Sequence, residues 1–197
     1  MDQVFKKFRD NIFLLWLVLA VPLLWLAYEH LFNDMRRGMI FYWTGVFAVW
    51  FLLMGLAVTP VQRLFRGRAW PRWFLKRRRY IGVAAFGYTT IHTYIWLMQE
   101  PLRGVLLSFT EPLVLFGWIG LFIFAVMAAT SNDWSVRRLG PGWKTLQRWV
   151  YLAAPLTLLH WFMAEKYRAE TVIIYGGLFL IIVLLRLVIR RTPARSA

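Results

Sequence analysis

Six long stretches without a single charge decide what this chain can fold into. They run Ile12–Tyr28, Met39–Val61, Tyr80–Gln99, Pro112–Asn132, Trp149–Ala164 and Thr171–Leu185. A helix crosses a bilayer with about 20 apolar residues, in a range of about 17–25. The second, third and fourth stretches meet that length outright. The first, fifth and sixth are short, and the sixth spans only if Arg186 snorkels to the interface. The sequence therefore predicts an all-α membrane protein, a bundle of six transmembrane helices forming a single domain over residues 1–197. Composition agrees: 60% of residues are hydrophobic and 17% are charged, against about a quarter charged in soluble domains. A signal peptide is the other reading of the first stretch, because Lys6, Lys7 and Arg9 precede it. No small-x-small site follows, since Tyr28-Glu29-His30 stands there, so the stretch reads as a span.

A net charge of +15 in a soluble chain would suggest a nucleic-acid partner; here it describes topology. With six spans, the termini, the loop Arg63–Arg79 and the loop Arg137–Arg148 share one face and hold 19 of the 24 Lys and Arg. Basic residues collect on the cytoplasmic side. Both termini are therefore expected in the cytoplasm, with segments 29–38, 100–111 and 165–170 facing outward. The basic run Arg63–Arg79 reads first as a topology signal that touches anionic lipid, and second as a contact for an anionic partner or a cofactor phosphate. Trp70, Trp73, Trp134, Trp143 and Trp149 are expected at the inner interface, and Trp96 and Trp161 at the outer one. No internal repeat is apparent.

The chain has no cysteine, which excludes disulfides, iron–sulfur clusters and thioether-linked haem. Its three histidines bound the search for a metal ligand. His92 and His160 lie inside apolar stretches, where an ionisable side chain is costly. Stretches three and five run in the same direction. His92 follows Arg79 by 13 residues and His160 follows Arg148 by 12. At a rise of about 1.5 Å per residue both lie about 18–20 Å from the inner charged boundary, in the outer half of an apolar core about 30 Å thick. Two imidazoles at one level on parallel helices suit the two faces of one iron porphyrin. Thr89 and Thr157 each precede a histidine by three residues and share its helix face, where a hydroxyl could orient a ligand or bond a propionate. Pro155 is expected to free the carbonyl of Tyr151 as an acceptor for an imidazole. Gly82, Ala84, Ala85 and Gly87 keep the third stretch thin enough for a flat macrocycle or a close helix, and Trp96, one turn past His92, could roof it. His30 sits beside Glu29 in a loop and reads as an interface residue.

Three motifs carry a family resemblance: Thr44-Gly45 with Leu56-Ala57-Val58-Thr59-Pro60; Arg77-Arg78-Arg79-Tyr80-Ile81-Gly82 running to Ile91-His92; and Thr130-Ser131-Asn132-Asp133-Trp134-Ser135-Val136-Arg137-Arg138-Leu139-Gly140, then Trp143, Leu146, Tyr151 and His160-Trp161. They resemble the MsrQ (YedZ) family, haem-binding membrane subunits of the periplasmic methionine sulfoxide reductase system, in the ferric-reductase-like transmembrane superfamily. The similarity runs from about residue 12 to 190. It implies a b-type haem protein of the bacterial inner membrane, with His92 and His160 as haem ligands, in a family also described as binding flavin mononucleotide. Such a protein passes electrons from the quinone pool, or from a cytoplasmic flavin reductase, to a periplasmic molybdopterin reductase.

Two positions depart from the family pattern. Gln147 stands where the family has a histidine at the start of the fifth stretch, and Tyr42 stands where it has one before the Thr-Gly pair. Gln147 lies level with Arg79, where related two-haem proteins hold a second haem. Glutamine is a poor iron ligand, so one haem is expected here, with Gln147, Arg78 and Arg79 as candidate quinone or flavin contacts. The competing reading is an accessory subunit of a larger membrane complex. A transporter is disfavoured by the lack of carboxylates within the apolar stretches.

Overall fold

The computed structural model describes residues 11–164, 170 and 172–191. Among these residues every regular element is helical and no strand occurs. Helix α1 spans Ile12–Phe32, α2 Arg37–Leu64, α3 Ala69–Leu97 and α4 Leu102–Leu107; α5 spans Pro112–Ala129, α6 Asp133–Leu139, α7 Pro141–Gln147 and α8 Val150–Ala164. A π-helical turn, Val172–Gly176, leads into α9, Gly177–Arg191. The basic residues Lys6, Lys7, Arg9, Lys166, Arg168 and Arg195, and the first residue of the sixth predicted span, Thr171, lie outside the described residues.

Three helices, α1, α2 and α5, are long and apolar enough to cross a membrane by length and composition. The other predicted spans differ for physical reasons. Helix α3 has 29 residues but carries Arg72 and Lys76–Arg79 in its first turns. It therefore begins 11 residues before the predicted span, and much of the expected basic loop is helix. Lys and Arg are good helix formers, and Arg77 lies 4.4 Å over the Trp73 ring one turn back. Helices α8 and α9 are 15 residues each.

Helix α2 is the centre of the core. It buries Thr44, Phe47, Val49, Leu52, Leu53 and Leu56 among others, packs along α3, and also touches α1 and α9. Helix α5 pairs with α8. These two pairs carry the site. Outward faces are apolar, with Val18, Leu24 and Phe122 more than half exposed, as lipid contact requires.

Helix ends follow local chemistry. The Asn11 side chain accepts from the Phe13 N–H at 2.9 Å and starts α1. Helix α5 ends at Ala129, earlier than the predicted Asn132, because Asn132 starts the next helix by accepting from the Ser135 N–H at 2.8 Å. Gly140, at φ +50°, joins α6 to α7 in a conformation that a side chain would disfavour.

Pro22 interrupts the hydrogen-bond ladder of α1. The buried Tyr88 of α3 enters one residue further on. Its hydroxyl accepts from the Leu23 N–H at 3.0 Å and donates to the Leu19 carbonyl at 2.9 Å, which ties α1 to α3. Tyr88→Phe is expected to cost about 1 kcal/mol. A thermal melt should read this as a fall of about 2–4 °C; no change would mean that Leu23 and Leu19 re-pair without loss.

Candidate functional site

The helix pairs α2/α3 and α5/α8 face each other across a cavity of about 380 Å³. His92 of α3 and His160 of α8 both line it, with ring centroids 6.4 Å apart and planes at 88°. Each ring is fixed by the neighbouring helix of its own pair. His92 Nδ1 lies 2.9 Å from the Phe41 carbonyl of α2. His160 Nδ1 lies 2.7 Å from the Leu113 carbonyl of α5. A carbonyl only accepts, so in each ring Nδ1 carries the proton and Nε2 keeps its lone pair. An acceptor of this kind orients an imidazole for a metal and raises its basicity.

Each ring also rests on a glycine. A Cβ on Gly45 would meet His92 Cε1 and Nδ1 at 3.0 Å, and one on Gly117 would meet His160 Cε1 and Nδ1 at 3.1 Å. In both cases the accepting carbonyl belongs to the residue four positions before the glycine. Phe41 completes the His92 seat by stacking on its ring at 4.1 Å between centroids. The sequence reading missed Gly117, Phe41 and Leu113, and it named Gly45 only as part of a family motif. The available signal was a glycine inside each of two apolar stretches.

The two halves match, although no repeat is apparent in the sequence as a whole. Ala85, Thr89 and His92 occupy the same relative positions as Ala153, Thr157 and His160. Thr89 donates to the Ala85 carbonyl and Thr157 to the Ala153 carbonyl, each at 2.9 Å. Both threonines line the cavity, with their donor protons spent on their own helices. Trp96 also lines it, packed edge-on against Trp118 with centroids 6.1 Å apart, as does Tyr42.

Three expectations are corrected. Gly87 does not line this cavity, and a Cβ there meets nothing within 4 Å, because it faces away from the histidine seam. The Tyr151 carbonyl is not the acceptor for His160; the Leu113 carbonyl of the adjoining helix reaches the ring instead. His30 lies in the last turn of α1 and not in a loop, with its Nδ1 2.9 Å from the Met35 carbonyl, and does not line the cavity.

The spacing passes a simple test for two ligands on one iron. A metal–imidazole bond of about 2 Å, with the ring centroid about 1 Å beyond the nitrogen, sets two axial rings about 6 Å apart between centroids. The observed 6.4 Å fits. The donor set is two neutral imidazoles with oriented tautomers, which suits haem iron. No group of three or more His, Cys, Asp or Glu side chains placed to hold a metal ion occurs among the described residues.

A second cavity of about 230 Å³ lies toward the basic ends of the helices. It brings together Arg78, Arg79 and Gln147, as their matched level predicted. Arg79 Nη2 pairs with Asp133 at 2.7 Å, and this pairing holds the exposed Asp133 carboxyl below its ordinary range. Arg78 donates to the Thr59 hydroxyl at 3.4 Å. The Gln147 amide nitrogen donates to the Met127 carbonyl at 3.1 Å and to the Thr130 hydroxyl at 3.3 Å, which closes the end of α5.

Comparison with known proteins places this architecture. Residues 44–158, which include His92, Gly45, Leu113 and Gly117 but neither Phe41 nor His160, match the ferric reductase like transmembrane component family. The protein-methionine-sulfoxide reductase heme-binding subunit MsrQ of Brucella anthropi is 32% identical over 97% of this chain and 88% of its own length. The chain belongs to the MsrQ family. The Caulobacter vibrioides member is 30% identical over 98% of this chain and 95% of its own length. The Agrobacterium fabrum member is 37% identical, over 62% of this chain and 56% of its own length. No solved structure matches.

Proposed function

We propose that this chain is a membrane electron-transfer subunit holding one b-type haem between Nε2 of His92 and Nε2 of His160. The observation that carries the reading is the pair of imidazoles 6.4 Å apart, each with its other nitrogen fixed to a backbone carbonyl. The relatives' description as haem-binding subunits supports it. When bound, the haem supplies reversible one-electron chemistry. The chain's residues do the rest. His92 and His160 bind and orient; Gly45 and Gly117 let the rings lie against their helices; Thr89, Thr157 and Trp96 shape the walls.

The whole chain then acts as one ferric-reductase-like domain of six spans in the bacterial inner membrane, with both termini cytoplasmic. That orientation sets the haem near the periplasmic surface, suited to a periplasmic acceptor. The acceptor is a molybdopterin methionine sulfoxide reductase, in keeping with the relatives' names. Electrons arrive from the quinone pool or from a cytoplasmic flavin reductase, with the basic cavity as the place of arrival. Gln147, with its amide nitrogen engaged, offers its carbonyl oxygen there and so can accept from a quinol hydroxyl.

A reduced-minus-oxidised spectrum with a pyridine haemochrome assay tests the reading. One low-spin b-type haem per chain is expected. A colourless preparation from haem-replete cells would favour an accessory subunit without a redox role. Two haems per chain would overturn the assignment of Gln147.

A further inference from the structure

One wall of the histidine cavity continues to the surface of the bundle. Trp118 of α5 lines the cavity directly after Gly117, the residue against which the His160 ring rests. Its indole is held from outside. The Nε1–H donates to the Ser108 hydroxyl at 3.0 Å, and Phe109 stacks on the indole face with centroids 5.2 Å apart and planes at 15°. Ser108 and Phe109 follow α4, so the segment 102–111 straps the end of the bundle remote from the basic cavity. Ser108 is 3% exposed and Phe109 is 50% exposed. Two stacked rings therefore connect the cavity to the outside. A tryptophan that only anchors a helix at the membrane interface turns its N–H toward headgroups or water. Trp118 gives that donor to a buried hydroxyl, so anchoring does not account for its placement.

We propose that Trp118 and Phe109 form the path by which an electron leaves the cavity for the water-soluble acceptor. This path rests on the haem reading above and supplies the exit that reading requires. Electronic coupling between two sites falls steeply across empty space and less steeply across atoms in contact. Stacked rings, one on the cavity wall and one at the surface, remove the gap across this wall. One electron crosses: the haem iron passes from ferrous to ferric and the acceptor is reduced by one electron. No bond or proton moves, and neither ring is itself oxidised. Ser108 is a positioning residue, because its hydroxyl fixes the indole against Phe109.

The chain has no cysteine, so one can be introduced as the single attachment point for a photoactive ruthenium–bipyridine label. Glu111→Cys places the label two residues from Phe109, where the native side chain makes no cap hydrogen bond. Leu31→Cys, in the exposed last turn of α1, gives a second point away from the strap. In the full-length, haem-loaded chain, flash excitation reads the rate of transfer between haem and label. Phe109→Leu should slow transfer at the strap label severalfold and leave transfer at the α1 label unchanged, and Phe109→Tyr, which keeps the ring, should restore the rate. Phe109 does not line the cavity, so haem content and midpoint potential should stay those of the unaltered chain. A second reading needs no haem. Ser108→Ala removes the acceptor of the indole N–H, so amide hydrogen exchange over residues 105–111 should quicken in chains purified without haem; unchanged exchange would overturn the positioning role of Ser108. A colourless chain would remove the haem reading and this path with it. A coloured chain whose strap-label rate ignores Phe109→Leu, or whose two labels slow equally, would overturn the path alone and place the exit elsewhere, as at Tyr42, which also lines the cavity and is partly exposed.

Discussion

His92→Ala and His160→Ala are each expected to abolish the low-spin b-type spectrum of the purified protein. Each histidine has one nitrogen committed to a carbonyl, so each offers the iron a single bond, and no third histidine lines the cavity. The other cavity-lining side chains are aromatic, aliphatic and hydroxyl groups, of which only the Tyr42 phenol is of a type that ligates haem iron, and it binds as a phenolate rather than as the neutral nitrogen donor that is lost. Even loss of an outer-shell partner costs about 10–100-fold in metal affinity, so loss of an axial ligand should exceed that. The pyridine haemochrome assay should give well under one haem per chain for both variants, and any haem retained should be high-spin. His30→Ala is the matched control: its ring is bonded to the Met35 carbonyl in an exposed turn, away from the cavity, and its spectrum should equal that of the unaltered chain. If His92→Ala or His160→Ala kept a full low-spin spectrum, the ligand assignment would fail.

The histidine pair was legible in the sequence because depth in a membrane helix is a matter of counting. Twelve or thirteen residues from a charged boundary fix a level whatever the packing. The level of Gln147 with Arg79 was legible for the same reason, and both line the second cavity. What counting does not give is azimuth and partner. Gly87 lies five residues before His92, a displacement that turns it away from the cavity, whereas Thr89 at three residues stays on the seam. Pro155, which has no N–H, points to an acceptor for His160 on its own helix, whereas the structure supplies it from α5. Interhelical hydrogen bonds of this kind depend on which helices pair, and the sequence pattern is silent on that. The basic run was read as loop because charge marks membrane boundaries, but Arg and Lys hold helical backbone well, so α3 runs straight through it.

Gly45→Ala and Gly117→Ala are expected to damage haem binding although neither residue is a ligand. In an exposed helix interior, exchanging glycine for alanine stabilises by about 0.5–1 kcal/mol. Here the added methyl would meet the imidazole carbon and nitrogen at 3.0–3.1 Å. The His92 ring has little room to yield, being held at 2.9 Å by the Phe41 carbonyl on one edge and stacked on the Phe41 ring. His160 is held at 2.7 Å by the Leu113 carbonyl. Overpacking of this kind costs about 1–3 kcal/mol, which corresponds to about five- to hundredfold weaker haem retention. A spectroscopic signature separates this effect from general loss of stability. The ring planes stand at 88°; a ferric haem held by rings so crossed would keep its d orbitals nearly degenerate and would give a strongly anisotropic low-spin electron paramagnetic resonance signal. Turning one ring about its iron–nitrogen bond lifts that degeneracy, so in any haem retained the alanine variants should move the signal toward a rhombic form. Gly87→Ala is the control, since its methyl meets nothing within 4 Å, and it should leave both haem content and signal unchanged. Gly45→Ala behaving as Gly87→Ala does would show that the glycine seat contributes nothing to the orientation of His92.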